Sequence, residues 1–394
     1  MNKVSDEPGM RVLLLGGYGV FGGRLVDLLV DVPGLEILVA GRDGAKVGRF
    51  CAERRGRTRL RPLVLDRRDV AGALAREAPD LVVDATGPFQ AYGADPYGVV
   101  RAAIAAGANY LDFADGSDFV FGIDGLDAEA KAARVYVLSG VSSFPVLTAA
   151  VVAEIGKGIV VHRITGGIAP SPHAGIGLNV MRAVLGYAGS KVALRRGGRD
   201  GFGVGLAETR CYTIAVPGHV PLRPLRFSLV DVPDLQVIPA AMPEVRDIWM
   251  GAGPVPEVLH RMLNLLARAR FRFGLPSLTP FSALFHRVLN LMSFGEHRGG
   301  MFVEVEGEIG GRPVIRSWHL LAEGEDGPLI PSMAIEGLVR NALAGERAGA
   351  RRTRGGWGAG LGRLRAPVRG AEYLHRDSRR GRRDALPTGA WGGV

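Results

Sequence analysis

Apolar positions in the first 140 residues fall into short continuous runs that alternate with helical periods. Val12–Leu15, Leu35–Ala40, Pro62–Leu65, Leu81–Asp84, Tyr110–Phe113 and Tyr136–Ser139 are four to six residues long. Runs so short and so apolar predict strands buried on both faces. Between them, Phe21–Leu29, Gly44–Arg54, Val70–Glu77, Tyr97–Ala106 and Ala128–Arg134 repeat apolar residues every three or four positions and predict helices. Six strands alternating with helices of this length predict an α/β fold, a doubly wound parallel sheet.

The alternation stops after Gly140. Pro145 leads into a predicted helix to about Glu154, followed by strands over Val160–Ile168 and Thr209–Val216 and a helix over Asn179–Tyr187. Proline-rich sequence from Leu225 to Pro256 precedes two helical stretches, Pro256–Phe271 and Pro280–Phe294. Phe302–Glu308 and Val314–Leu321 alternate in period two around Gly310-Gly311, a hairpin signal. Pro331–Ala344 reads as a last helix. The expected division is a parallel-sheet domain over 1–145, an α+β domain over 146–345 and a tail over 346–394. The tail is rich in Gly, Arg and Ala without any sustained period, so disorder is expected there. A genuine flexible tail and the product of a late frameshift in a GC-rich coding region both fit its composition.

Charge alters this picture little. The chain carries a net +10, but the tail holds 12 Arg against four acidic residues, leaving the other 345 residues at only +2. The basicity is a property of the tail, and specific nucleic-acid binding is not expected. Two cysteines, Cys51 and Cys211, offer no disulfide framework and no zinc spacing, so no metal is expected. The polar stretch Met1–Gly9 does not resemble a secretory leader, and no apolar run reaches the length of a membrane span, so a cytoplasmic protein is expected.

The chemistry begins where the first strand ends. Gly17-Tyr18-Gly19-Val20-Phe21-Gly22 has G-x-G-x-x-G spacing between a strand and a helix. In that context Gly17 turns the chain, Gly19 lets a pyrophosphate approach the backbone, and Gly22 lets the helix pack closely. The helix N-terminus then faces the phosphates. Arg42, at the end of the second strand, stands where an NAD-binding chain usually offers an acid to the ribose; a guanidinium suits a 2′-phosphate. NADP is therefore expected over NAD, although the adjacent Asp43 could serve NAD if it turned inward.

These stretches, LLLGGYGVFG, VAGR, DATGPF, ANYLDFADG, LSGVSSFPVL and VDVPDL, together resemble the saccharopine dehydrogenase-like oxidoreductases over about residues 10–345. The resemblance implies an N-terminal NAD(P)-binding Rossmann domain and hydride transfer to or from a small carbonyl, imine or enoyl substrate. It places Gly17, Tyr18, Gly19, Val20, Phe21 and Gly22 at the pyrophosphate. Asp66 would lie at the adenine edge or cap the helix before Val70, and Thr86, Gly87, Pro88 and Phe89 would lie along the cofactor. The proton needed beside a nicotinamide has candidates in Tyr110, Asp112, Asp115, Ser142 and Ser143 at the strand ends and His173 across the cleft, with Asp112 and His173 carried forward as catalytic candidates. Members of the family that bind a dicarboxylic amino acid need arginines in the second domain, and Arg182 and Arg210 are available. A competing expectation is a non-catalytic NADP-binding protein held at a lipid surface, because Val258–Phe294 mixes apolar residues with arginines as interfacial helices do. Burial of that segment against its own domain or in a homodimer is the alternative.

Overall fold

The computed structural model describes residues 8–89, 92–171, 177–253, 257–291, 297–323, 327–345 and 372–377. The first sheet comprises β1 (Met10–Leu15), β2 (Leu35–Gly41), β3 (Arg59–Val64), β4 (Leu81–Asp84), β5 (Asn109–Asp112) and β6 (Val137–Leu138). It is parallel throughout, in the order β3-β2-β1-β4-β5-β6. Helices α1 (Val20–Leu29), α2 (Gly44–Ala52), α3 (Val70–Glu77), α4 (Gly98–Ala105), α5 (Ser117–Gly122) and α6 (Asp127–Ala133) lie in its crossovers. The continuous apolar runs have the expected cause. Val12 and Leu14 pack beneath Leu25 and Leu29 of α1, while Leu13 and Leu15 face Leu74 and Val100 on the other side. The strand order reverses between β1 and β4, which opens a crevice at their carboxyl ends.

The second half contains α7 (Thr148–Ile155), β7 (Val160–Ala169), α8 (Leu178–Tyr187), β8 (Lys191–Arg196), β9 (Arg199–Val204), β10 (Thr209–Tyr212), β11 (Leu225–Leu229) and α9 (Asp234–Ala241). It continues through β12 (Asp247–Ala252), α10 (Glu257–Phe273), α11 (Ser282–Leu291), β13 (Gly299–Ile309), β14 (Arg312–Ala322) and α12 (Ile330–Leu343). Its main sheet runs β10-β11-β12-β7-β13-β14-β15, where β15 is Glu372–Asp377. Only β7 and β12 are parallel neighbours. Close aromatic packing shapes the centre of this sheet: a Cβ on Gly167 would lie 2.5 Å from the Phe302 ring and 2.8 Å from Phe227.

The Gly310-Gly311 hairpin forms between β13 and β14 as expected, with both glycines at positive φ. Three features depart from expectation. β8 and β9 form a second hairpin about Gly197-Gly198, also at positive φ. The helix α12 returns to the first sheet's layer, where Ile335 and Val339 join the core with Leu25 and Leu29, and Ser332 Oγ donates to Phe21 O at 3.1 Å. In the tail, residues 372–377 pair antiparallel with β14 although the sequence there carries no strand signal; the other tail residues lie outside the described ones.

Candidate dinucleotide site

The turn after β1 is built from glycines that each serve a different contact. Gly16 has φ +71°, and a Cβ there would lie 2.9 Å from Ala85 O. The left-handed residue that turns the chain is thus Gly16, one position before the expected Gly17. A Cβ on Gly17 would lie 2.8 Å from Val39 Cγ1, so this glycine lets the turn sit on β2. Gly19 caps α1 without any side-chain cap, and its N–H donates to Gly16 O at 2.9 Å. The first-turn N–H groups of a helix have no intrahelical acceptor and suit an anion. A Cβ on Gly22 would fall 2.4 Å from Gly16 O, which explains a glycine inside the helix.

A cleft of about 910 Å³ opens over this turn. Gly16, Tyr18, Gly19, Val20 and Phe21 form its floor, and Gly41 and Arg42 follow from β2. Asp66, Arg67 and Arg68 follow from β3, Thr86, Gly87, Pro88 and Phe89 from β4, and Phe113 and Asp115 from β5. The far wall is α8, through Leu178, Asn179, Val180 and Ala183. Asn179 Nδ2 donates to Gly87 O at 2.9 Å and ties this wall to the loop after β4. The Tyr18 ring covers Gly41, where a Cβ would overlap it at 2.1 Å. Of the expected cofactor residues, Gly17 and Gly22 lie behind the turn and the others border the cleft.

The end of the cleft beside β2 and β3 is rich in arginine. Arg42, Arg67 and Arg68 all line it, around Asp66. Asp66 accepts from Arg68 N, Nε and a terminal nitrogen at 2.9–3.0 Å, and these bonds hold its carboxyl well below the usual range. It caps the short turn Arg67–Asp69, so the capping role expected as an alternative is formed. Arg67 stacks over Tyr92 at 3.3 Å from the ring centroid. Asp43 is turned away: its carboxylate accepts from Lys46 N at 3.1 Å as the N-cap of α2.

Two buried aspartates stand side by side at the ends of β4 and β5, Asp84 opposite Asp112. Asp84 accepts from Thr86 N at 2.9 Å and Thr86 Oγ1 at 2.6 Å, which fixes the loop that borders the cleft; burial raises its pKa. Asp112 Oδ1 accepts from Ala114 N, Ser139 Oγ and Gly140 N at 2.8–2.9 Å. Its Oδ2 has no hydrogen-bond partner among the described residues, and burial pushes its pKa up to about 7. Asp112 is wholly buried and absent from the cleft lining, and its hydrogen bonds hold the loop after β6. His173 lies outside the described residues. Arg182 donates to Asn179 Oδ1 at 3.2 Å, and Arg210 lies in a separate depression on the second sheet beside Thr165 and Trp249. Phe89 is both a cleft wall and a core residue, packed on Tyr92 and Phe119.

Sequence reading missed Gly16, Arg67, Arg68, Tyr92 and Asn179. The doubled Gly16-Gly17 and the Arg67-Arg68 pair after Asp66 were visible signals; Tyr92 and Asn179 carry none, because only the fold brings them to the cleft.

Fold and site together define a Rossmann dinucleotide-binding domain joined to a second, mixed-sheet domain. Residues 12–138 match the family model of the saccharopine dehydrogenase NADP binding domain. No curated protein sequence matches the chain. Among solved structures, similar chains include GenD2 from gentamicin A biosynthesis in complex with NAD, at 14% identity, covering 94% of this chain and 97% of that one, with a TM-score of 0.42. Another is biliverdin reductase from Synechocystis sp. PCC 6803 in complex with biliverdin and NADP+, at 12% identity, 90% and 96% coverage and a TM-score of 0.39. A third is myo-inositol 2-dehydrogenase from Lactobacillus plantarum, at 11% identity, 89% and 94% coverage and a TM-score of 0.43. Likeness this low carries no argument about substrate.

Proposed function

We propose that the chain is an NADP(H)-dependent oxidoreductase acting on a small carbonyl, imine or enoyl substrate in the cleft between β1–β5 and α8. The carrying observation is the basic rim: Arg42, Arg67 and Arg68 face the cleft while Asp43 is held at the N-terminus of α2. A carboxylate there would accept a ribose hydroxyl; the Arg42 guanidinium favours a 2′-phosphate, with Arg68 already paired to Asp66 and Arg67 laid over Tyr92. When bound, the nicotinamide supplies the hydride chemistry. The chain's own part is to bind phosphates on the first turn of α1, to orient the cofactor with the loop Thr86–Phe89, and to exclude water with Phe21 and Phe113. These two rings stack at 5.6 Å. Asp115 lines the cleft beside Phe113, which supports it as the group that exchanges a proton with the substrate; His173 stays a candidate on its sequence position.

A substrate screen tests this reading. NADPH oxidation followed at its near-ultraviolet absorbance against ketones, imines and enoyl compounds should yield turnover with at least one class, and Asp115→Asn should lower kcat more than it raises KM. Preference for NADH over NADPH in direct titration would refute the cofactor assignment. Against the non-catalytic alternative, the cleft extends past the phosphate turn to the α8 wall.

A further inference from the structure

Large apolar side chains exposed on the described surface are concentrated on one segment, α10 and α11 with their connection. Of the fifteen, nine fall between residues 258 and 291: Val258, Met262, Leu265, Phe271, Phe273, Leu275, Phe281, Leu284 and Leu291. Val258, Met262 and Leu265 repeat at four and three residues and therefore share one face of α10. Their exposures are 71, 42 and 66%. On α11 and the turn before it, Phe281, Leu284 and Leu291 are 54, 58 and 78% exposed.

The opposite sides of α10 and α11 pack on the body of the protein. Leu263 and Leu289 pack on Met181 and Leu185 of α8. His260 Nε2 lies 2.6 Å from Ser228 Oγ, and Asn264 Nδ2 donates to Ser228 Oγ at 2.7 Å and Leu206 O at 2.8 Å. The exposed row thus points away from a rigid mount.

Charge decides what can cover it. Between 258 and 291 there are five arginines, Arg261, Arg268, Arg270, Arg272 and Arg287, and no Asp or Glu; Glu257, which opens α10, pairs with Arg261 at 2.9 Å and leaves the other four. Arg268 and Arg270 are held by the main-chain carbonyls Ala207 O and Gly186 O, which leave their charge unneutralised. A second copy of the same hairpin would set cations against cations across a two-fold contact. An anionic lipid surface accepts both the apolar row and the arginines. No described helix is long and apolar enough to cross a membrane, so the contact is peripheral.

We infer that the α10–α11 hairpin docks the protein on an anionic lipid surface. The hairpin packs directly behind α8, the wall of the cleft, so docking holds the cleft one helix layer from the headgroups.

The test is flotation of the full chain with phosphatidylcholine vesicles, with and without a one-third share of phosphatidylglycerol. The chain should float with the anionic vesicles, and Leu265→Asp/Leu284→Asp should reduce bound protein at least about tenfold. Arg272→Glu/Arg287→Glu should reduce it as well. Both positions in the first variant are solvent-exposed, so its melting temperature and NADPH affinity should match the parent and show that it is folded. Three results would overturn the inference. The parent chain fails to float; the Leu265→Asp/Leu284→Asp variant floats as well as the parent, which would assign binding to the basic tail; or light scattering shows a parent dimer that this variant dissociates, which would make the surface a contact between copies.

Discussion

Asp112→Asn separates a structural carboxylate from a catalytic one. An asparagine keeps Oδ1 as acceptor for Ala114 N, Ser139 Oγ and Gly140 N, and puts an amide where Oδ2 has no hydrogen-bond partner among the described residues. The wild-type carboxyl, raised from 3.8 to about 7 by burial, favours its protonated form in the folded state. Its contribution to stability is therefore fully present below pH 3.8 and is lost as pH rises through about 7. That rise corresponds to about 4 kcal/mol between the two ends of the window. The stability of Asp112→Asn minus that of wild type should accordingly grow from acid to pH 8 by an amount of that order and then level off. Urea unfolding of both proteins across this range measures it, and comparing the difference cancels the titration of other groups. Asp112→Ala should share that pH dependence but start from a far lower stability. It strips three buried donors of their acceptor at about 1–3 kcal/mol each, enough to compromise folding. NADPH affinity should be unchanged in Asp112→Asn, since the residue does not line the cleft. A stability difference that is flat with pH, or a loss of NADPH affinity or turnover without a change in stability, would refute this reasoning and return Asp112 to the catalytic candidates.

Arg42→Ala should weaken NADPH binding about tenfold or more and leave NADH nearly unchanged, since a hydrogen bond to a charged group contributes ~1.5–3 kcal/mol; equal losses in fluorescence titrations would remove Arg42 from the 2′-phosphate. Gly22→Ala places a Cβ 2.4 Å from Gly16 O and should push α1 off the turn, abolishing cofactor binding and lowering the melting temperature by several degrees. His260, whose pKa burial lowers to about 4, contributes stability that is present above pH 6.5 and lost as pH falls toward 4, by about 3 kcal/mol. His260→Asn should flatten that part of the urea-midpoint profile, and an unaltered profile would place the titration elsewhere.

The chain's local patterns were enough to determine the first sheet. Strands such as Val12–Leu15 are buried on both faces, so their apolar runs are continuous and stand out against the helical periods between them. G-x-G-x-x-G located the turn for the same local reason: the close approaches at Gly17 and Gly22 are demands that a single residue type meets, while the positive-φ Gly16 stands one position before the motif. Tertiary structure decided the remainder, because it depends on contacts between distant residues. Whether Asp43 or Arg42 faces the cleft was settled by the N-cap of α2. Asp112 reads in sequence as a candidate acid at a strand end; its bonds to Ser139 and Gly140, from the loop after β6, exist only once β5 and β6 pair. Asn179 reaches Gly87, 92 positions away, once the second domain folds over the first. The outward apolar row of α10 has the same period as a core-facing one; its exposure follows from which face His260, Leu263 and Asn264 lock against the sheet and α8.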